Sequence, residues 1–265
     1  RLSQRYEAHK QRGFERDVLG LHALVDPVIA GRREMPRDAW PSDLLSRMLS
    51  HADPKTGQPL SDENVRYQIL TFLIAGHETT AGLLALALHY VARDPELAAA
   101  LRAEVDEVFA GGPPTFAAVR SLDLVRRVLD ETLRLHPTLP FISRGPKDDV
   151  LLGGRFPIRR GQPVALLLTA IQQDPEVWPD PLRFDPARFL PERTQKRPAY
   201  AYKPFGVGRR TCLGRSFALV EATLALAMIV QQFELADPGP LRLALSPVPR
   251  PRGFRLALRA RRPDA

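Results

Sequence analysis

The sequence contains a single cysteine, Cys212, among 265 residues. One thiol excludes an internal disulfide framework and any zinc or iron–sulfur site that needs several thiolates. On composition alone, a lone thiol is most often a buried and unreactive side chain. The surroundings of Cys212 therefore decide whether it has a function.

The sequence also lacks the marks of a nucleic-acid-binding protein, although its net charge is +8. The basic residues are dispersed along the chain, and neither zinc-finger spacing nor an aromatic RNA-binding motif accompanies them. We therefore expect no nucleic-acid partner. A solvated basic face that docks an acidic partner explains the charge better.

A secretory signal is not recognisable, and only one apolar run, Ile69 to Val91, is long enough to span a bilayer. His77 and Glu78 lie in the middle of that run, where a charge is costly in a membrane. The run therefore predicts a buried helix of a soluble protein, no membrane span and a cytoplasmic location.

Helical periodicity dominates the sequence. Pro27 predicts a kink or a break in the first helical region, and Asp94 followed by proline predicts a capped helix start. Short strands are expected at 150–158, around two glycines, and at 164–168. The pattern predicts one mainly α domain with a small β part over residues 1–265, without an internal boundary.

The segment KPFGVGRRTCLGR places Cys212 directly before a strongly apolar helix. A thiolate at a helix N-terminus is stabilised by the helix dipole and by free backbone N–H groups. Gly206 and Gly208 permit a tight turn with positive φ beneath a flat ligand, and Gly214 permits close approach of the helix backbone. Together these features outweigh the interpretation of an inert thiol.

Two further side chains in the segment fit a thiolate ligand. Phe205 can shield the sulfur from water, and Arg210 supplies a cation for a carboxylate two residues from Cys212. The pattern F-x-x-G-x-R-x-C-x-G resembles the haem-ligand signature of the cytochrome P-450 monooxygenases. The resemblance implies the cytochrome P-450 fold and haem b with Cys212 as axial ligand of the iron. It assigns cofactor contacts to Phe205, Gly206, Arg210 and Gly214.

The sequence AGHETT (Ala75 to Thr80) puts an acid and two threonines inside the apolar helix. A threonine hydroxyl bonded to a carbonyl one turn back is the simpler interpretation. The stretch also resembles the oxygen-activation motif of the same family. That resemblance implies a groove for dioxygen beside the haem at Ala75, with Thr79 and Glu78 as catalytic residues that relay protons.

Glu131 and Arg134 form an E-x-x-R pair, which on a surface would be an ordinary i,i+3 ion pair. In the family this pair is buried and joined by an arginine from a later segment. FDPARF offers Arg188 for that place, although Ala187 stands where a glutamate is common. The resemblance thus implies a structural role for these three charged residues.

The loop after the E-x-x-R helix passes over the haem in the family. Leu139 and Phe141 would narrow the substrate pocket there, and Phe72 and Ala75 would line it from the apolar helix. Arg144 matches a position where many relatives bind a haem propionate. For the apolar residues, packing in the core is the alternative interpretation.

Residues 42–84 and the segment YKPFGVGRRTCLG most resemble the bacterial self-sufficient fatty-acid hydroxylases, whose haem domain is fused to a diflavin reductase. The resemblance implies subterminal hydroxylation of long-chain fatty acids with O2 and electrons from NADPH. FAD and FMN of a fused or separate reductase would carry the electrons to the basic proximal face.

Complete members of the family are markedly longer at the N-terminus. We therefore expect this sequence to correspond to the C-terminal part of the domain, with the N-terminal part missing. Two alternatives follow from the same residues: a haem-binding sensor or carrier without turnover, and a non-functional fragment that binds no haem.

Overall fold

The computed structural model describes residues 2–236, 239–245, 248–253 and 255–261. The chain divides into two compact units, residues 1–77 and 78–265, with the boundary inside one long helix. Domain organisation without an internal boundary stays a prediction. The helices within the described residues are α1 (Leu2–Glu34), α2 (Leu44–Ser50), α3 (Asp62–Arg93), α4 (Pro95–Phe109), α5 (Asp123–Leu135), α6 (Leu168–Ile171), α7 (Pro191–Thr194) and α8 (Arg215–Gln232).

The described strands form four antiparallel pairs, β1 with β4, β2 with β3, β5 with β8 and β6 with β7. The β2–β3 hairpin turns at Gly153 and Gly154, which both have positive φ, and it agrees with the prediction for 150–158. The class predicted from the sequence, mainly α with a small β part, is observed. The strands are β1 (Phe141–Arg144), β2 (Val150–Leu152), β3 (Phe156–Ile158), β4 (Val164–Leu167), β5 (Phe233–Ala236), β6 (Leu243–Leu245), β7 (Pro249–Pro251) and β8 (Ala257–Ala260).

In the first unit, α1 continues through Pro27, so the predicted break in this helix is wrong. Proline removes one backbone hydrogen bond of a helix and crowds the preceding turn. Val25 and Ile29, on either side of Pro27, are buried in an apolar cluster with residues of α2 and α3, which offsets the local cost. Packing against α2 and α3 therefore outweighs the helix-breaking tendency of Pro27.

An ion pair joins α1 to α2 in the same unit. The Arg32 guanidinium donates to both carboxylate oxygens of Asp43 at 2.8 Å, and Asp43 caps α2 by accepting from the Ser46 N–H at 2.8 Å. These hydrogen bonds hold the pKa of Asp43 well below its usual range. The half-buried Trp40 packs against this unit's core and donates its indole N–H to the Met35 carbonyl.

The core of the second unit is built by the C-terminal half of α3 together with α4, α5 and α8. Asp94 caps α4 by accepting from the Leu97 N–H at 2.9 Å, as the sequence predicts, and Pro95 opens the helix. Large fully buried side chains of these helices include Leu86, Val91, Leu101, Val105, Val125, Leu129, Leu133 and Leu226.

Helix α5 has no side-chain cap of its own, because Leu122 occupies its N-cap position. Glu104 of α4 takes that role. Its two carboxylate oxygens accept from the N–H groups of Leu124 at 2.6 Å and Val125 at 2.9 Å. The first-turn N–H groups of a helix otherwise lack partners, so this contact both caps α5 and fixes it against α4.

Replacing Glu104 by alanine is expected to lower the free energy of unfolding by about 1–3 kcal/mol, because two helix N–H groups lose a charged acceptor. Urea denaturation measures the loss. Glu107→Ala, at an exposed position of the same helix, serves as the control and should change stability by less than about 0.5 kcal/mol. Equal losses in the two variants would contradict the capping role.

The middle of α3 corrects a prediction from the sequence. Only 22% of the most apolar window of α3 is buried, and Leu73 and Ile74 are 60% and 65% exposed. The expectation of a buried helix thus fails for residues 71–78, although Leu83, Leu86 and Val91 further along are buried. Apolar composition indicates what a helix can bury, and most side chains of this stretch stay exposed in the described chain. Among the described helices, α3 is the one long and apolar enough to cross a membrane, a property shared with core helices of soluble proteins.

Candidate functional site

The segment before α8 folds into a tight loop around Cys212. The Gly206 N–H donates to the Lys203 carbonyl at 2.9 Å, and the Cys212 N–H donates to the Phe205 carbonyl at 2.9 Å. Gly206 and Gly208 have φ of 73° and 70°, so the positive φ expected from the sequence is observed. The Cys212 thiol is free and exposed. The loop thus presents the sulfur rather than burying it.

Cys212 lies just before the N-terminus of α8. Gly214 is the N-cap residue of α8 and offers no side chain to the first N–H groups of this 18-residue helix. The positive end of the helix dipole therefore lies two residues from the thiol. A Cβ at Gly214 would meet no atom of the chain within 4 Å. No other part of the described chain therefore makes the close approach to the helix backbone that Gly214 permits.

Phe205 and Arg210, both in the Cys212 loop, differ in solvent exposure. Phe205 is partly buried and packs against the core of the second unit, and the guanidinium of Arg215 lies 5.6 Å from its ring centroid. Arg210 is exposed and ends the short 3-10 turn Gly208–Arg210. Both are held in the Cys212 loop, and their contacts with a cofactor stay predictions.

The residues present fit a flat, largely apolar group bound through a thiolate. Cys212 is exposed at a helix N-terminus, and a Cβ at Gly208 would meet no atom of the chain within 4 Å. Apolar side chains beside the thiol are also exposed, among them Leu213 at 81%. Thiolate ligation of a single iron within an apolar surface is the chemistry of haem sites of the cysteine type.

The residues predicted to activate oxygen lie in the middle of α3. Glu78 is exposed and Thr79 is half-buried, whereas the neighbouring Thr80 is buried, with its hydroxyl lacking a hydrogen-bond partner among the described residues. Phe72, half-buried, and Ala75, exposed, belong to the first unit, whereas Glu78 and Thr79 begin the second. The roles of these four residues in oxygen and substrate binding stay predictions.

Glu131 and Arg134 form a buried ion pair with two hydrogen bonds, at 2.7 and 2.8 Å. Arg188, itself buried, brings its Nε to 3.4 Å from Glu131 Oε1. Burial raises the pKa of Glu131, against the lowering effect of the hydrogen bonds from Arg134. The structure therefore brings the three predicted scaffold residues together. Arg134 also donates to the carbonyls of Gln172, Pro181 and Arg183.

An aromatic cluster lies against these arginines. The ring of Trp178 is 1% exposed, and the guanidinium carbons of Arg134 and Arg197 lie 5.0 and 4.1 Å from its centroid. Arg197 also donates to the Arg188 carbonyl and lies 4.7 Å from the Phe189 ring centroid. Both guanidinium groups thus lie over aromatic rings, and Arg134 is also paired with a carboxylate.

Gln172 is a buried residue that the sequence analysis missed. Its Nε2 donates to the carbonyls of Leu133 at 2.9 Å and Arg134 at 3.2 Å, and its Oε1 accepts from the Lys203 N–H at 3.0 Å. The side chain thereby links the end of α5 to the start of the Cys212 loop. A polar residue between an apolar strand and a proline-rich stretch is the only sign of it in the sequence.

Tyr202 forms a second link that the sequence analysis missed. Its hydroxyl donates to Asp130 Oδ1 at 2.9 Å and to the Asp130 carbonyl at 3.0 Å, and Arg126 pairs with the same carboxylate at 3.0 Å. Burial raises the pKa values of both Tyr202 and Asp130. Residues 202 and 203, which lead into the loop, are therefore tied to α5 and to Gln172.

The residues expected over the cofactor lie on and before β1, where the sequence predicted a loop. Leu139 and Phe141 are 52% and 54% exposed, which contradicts the alternative that they are core residues. Pairing of β1 with β4 sets Phe141 opposite Leu167, which is also exposed. Arg144 is exposed, with its guanidinium donating to the Ser143 carbonyl at 2.8 Å. Its contact with a propionate stays a prediction.

Fold and loop together define a haem-binding protein of the cysteine-ligated class. The chain belongs to the cytochrome P-450 family, whose family model, "Cytochrome P-450", matches residues 4–243. The cofactor of this family is haem. The resemblance stated from the motifs is thereby confirmed at the level of the family.

Curated relatives join this domain to a reductase. The chain is 44% identical over 229 residues to a bifunctional cytochrome P-450/NADPH–P-450 reductase of Bacillus cereus, covering 86% of the chain and 21% of the relative. It is 46% identical over 225 residues to a bifunctional enzyme of the same description, number 2 of Bacillus subtilis, covering 84% and 21%. A self-sufficient cytochrome P-450 monooxygenase of Exserohilum turcicum is 37% identical over 252 residues, covering 94% and 23%.

Solved structures share the fold. The crystal structure of the cytochrome P450DA haem domain matches with a TM-score of 0.91 and 45% identity, covering 96% of this chain and 56% of that one. The crystal structure of CYP102L1 matches with a TM-score of 0.89 and 40% identity, covering 96% and 58%. The chain thus spans little more than half of the solved chains and about a fifth of the curated relatives it matches.

Proposed function

We propose that the protein containing this chain is a haem-thiolate monooxygenase that inserts one oxygen atom of O2 into a C–H bond of a hydrophobic substrate. The observation that carries the proposal is the exposed thiol of Cys212, held by a glycine turn at the N-terminus of α8. The relatives named above as monooxygenases and reductase fusions support it.

Cys212 would hold the haem iron as a thiolate, stabilised by the N-terminal N–H groups of α8. Bound haem supplies the iron at which O2 is activated for insertion into a C–H bond. Arg210 and Arg144, both exposed, would each bind a propionate through charge-assisted hydrogen bonds. Gly206 and Gly208 keep the backbone beneath the cofactor free of side chains.

Glu78 and Thr79 would be the residues that handle protons for the oxygen chemistry that bound haem supplies. Glu78 is exposed on α3 and would connect the site with water. The Thr79 hydroxyl, one residue further along α3, would be the hydrogen-bonding group of the oxygen groove. A positioned acid and hydroxyl of this kind contribute about 10²–10⁴-fold to a rate.

The electrons would come from NADPH through a reductase, fused or separate, as the NADPH-dependent reductase parts of the bifunctional relatives suggest. The FAD and FMN of such a diflavin reductase would carry them. Exposed Arg209 and Arg215 lie within three residues of Cys212 in the sequence and would form part of a basic face that suits an acidic partner. Long-chain fatty acids, hydroxylated near the chain end, are the proposed substrates. We place the protein in the cytoplasm.

Replacement of Cys212 by serine tests the proposal. The reduced full-length protein under carbon monoxide should show the absorption band of thiolate-ligated haem, and Cys212→Ser should lose it. Thr211→Ser, an exposed neighbour in the same loop, is the matched control and should keep the band. A wild-type protein without this band would overturn the proposal and favour a chain that binds no haem.

Turnover separates an enzyme from a haem-binding sensor or carrier. The monooxygenase should release hydroxylated product from a long-chain fatty acid only when NADPH, its reductase and O2 are all present. Titration with the same fatty acid should also shift the spin state of the ferric haem. Normal thiolate-ligated haem without any product would support the sensor or carrier instead.

A further inference from the structure

Three consecutive hydrogen bonds connect Gln172 with the backbone of Cys212. The Lys203 N–H donates to Gln172 Oε1 at 3.0 Å, and the Lys203 carbonyl accepts from the Gly206 N–H at 2.9 Å. The carbonyl of Phe205, the residue before Gly206, accepts from the Cys212 N–H at 2.9 Å. Each of these hydrogen bonds restrains the backbone beside the residue that makes the following hydrogen bond. The position of Lys203 therefore affects where the loop places the Cys212 sulfur.

The other end of Gln172 is held just as firmly. Its Nε2 donates to the carbonyls of Leu133 and Arg134 near the C-terminal end of α5, where helix carbonyls have no partner within the helix. Its own backbone carbonyl accepts from Arg134 at 3.0 Å. Gln172 is 0% exposed. A buried amide with both ends satisfied has one orientation and holds it rigidly.

Among the described residues, Gln172 is the only one outside the loop whose side chain hydrogen-bonds the backbone N–H of Lys203. Tyr202, the preceding residue, anchors its side chain rather than its backbone. Removing the Gln172 oxygen would leave the Lys203 N–H without its acceptor in a half-buried place, which favours a shift of the stem toward water.

We propose that Gln172 is a positioning residue that sets the geometry of the Cys212 thiolate through the backbone of Lys203, Gly206 and Phe205. The proposal rests on the proposed function in one respect, that Cys212 is the haem ligand. The hydrogen bonds of the Gln172 side chain within the described chain go to Leu133, Arg134 and Lys203, so Gln172 would act on Cys212 through the loop backbone.

The first test compares Gln172→Leu with Gln173→Leu in the full-length haem-loaded protein. Gln173 is the matched control, because its Nε2 donates to the Leu135 carbonyl at 2.9 Å at the same end of α5 and, among the described residues, its side chain makes no hydrogen bond to the loop. Under carbon monoxide, Gln172→Leu should show a larger share of the shifted band of haem whose thiolate is protonated or displaced. Gln173→Leu should match the wild type.

A second readout does not depend on haem. Loss of one hydrogen bond should speed hydrogen exchange at the backbone amides of Gly206 and Cys212 about five- to tenfold in Gln172→Leu. The same amides should exchange at the wild-type rate in Gln173→Leu. Exchange in α8, beyond the loop, should be unchanged in both variants.

Gln172→Glu separates positioning from stability. A glutamate carboxylate keeps an oxygen that accepts from Lys203, but it cannot donate to the two α5 carbonyls and is repelled by them. It should therefore unfold at lower urea than the wild type and still keep the normal carbon-monoxide band. Wild-type spectra and exchange rates in Gln172→Leu would overturn the inference. A wild-type protein without the thiolate band would overturn the proposed function instead, so the two failures are distinct.

Discussion

Replacement of Arg134 by alanine is expected to remove at least about 3–5 kcal/mol from the free energy of unfolding. The change leaves the fully buried carboxylate of Glu131 without its main cation. Arg188 lies 3.4 Å from that carboxylate and compensates only in part. Three carbonyls, of residues 172, 181 and 183, lose their donor at the same time. Because domains are stable by about 5–15 kcal/mol in total, this loss is a large share of the stability and should lower the urea midpoint strongly.

Urea denaturation at neutral pH measures the effect, and two variants make it specific. Arg126→Ala removes an i,i+4 pair with Asp130 from a side chain that is 40% exposed, and should cost under about 1 kcal/mol. Arg134→Lys keeps the charge but offers fewer directed donors, so its stability should lie between those of Arg134→Ala and the wild type. Equal midpoints for Arg134→Ala and Arg126→Ala would show that the buried pair is not a scaffold element.

Acidification is expected to destabilise the fold through His136. Burial lowers the pKa of His136 from its ordinary value of 6.5 to about 4, and the charges of His89 and Arg134 act in the same direction. In the unfolded chain the imidazole takes up a proton near 6.5, before the folded protein can. The stabilisation is therefore complete above pH 6.5 and is lost as the pH falls toward 4, by on the order of 3 kcal/mol.

The environment of His136 suggests the variant that tests this. His136 Nε2 shares a hydrogen bond of 2.7 Å with the Tyr90 hydroxyl, and its ring stacks on the Tyr90 ring, which in turn stacks on Phe184. His136→Phe keeps an aromatic ring in the stack and cannot titrate. The difference in unfolding free energy between pH 7 and pH 4.5 should shrink in His136→Phe but not in His51→Gln, at an exposed histidine. An unchanged difference in His136→Phe would contradict the assignment.

The Cys212 loop could be predicted because its conformation depends mainly on residues within the segment itself. Gly206 and Gly208 adopt the positive φ that glycine permits, and the long apolar run after Cys212 forms α8. The Glu131–Arg134 pair, three residues apart on one helix, is similarly local. Its burial was inferred from the family resemblance rather than from the spacing.

The contacts missed by the sequence analysis are long-range ones. Gln172 meets Lys203 across 31 residues, and Tyr202 meets Asp130 across 72. Neither pair has a periodic signal, because each depends on where two separately folded segments meet. Likewise β1 exists only through its pairing with β4, and the exposed middle of α3 depends on which surfaces the chain supplies to cover it. The local sequence pattern indicates whether a segment is a helix or a strand, whereas its contacts with other segments depend on the tertiary fold.

The intrinsic fluorescence of the protein comes from two tryptophans, Trp40 in the first unit and Trp178 in the second. Trp178 is packed between two guanidinium groups and shielded from water, so its emission reports whether the charged cluster around Glu131 is closed. With Trp40 replaced by phenylalanine, the wavelength of the remaining emission would follow the opening of that cluster alone. The scaffold behind the cysteine loop can thus be observed by fluorescence without an added label.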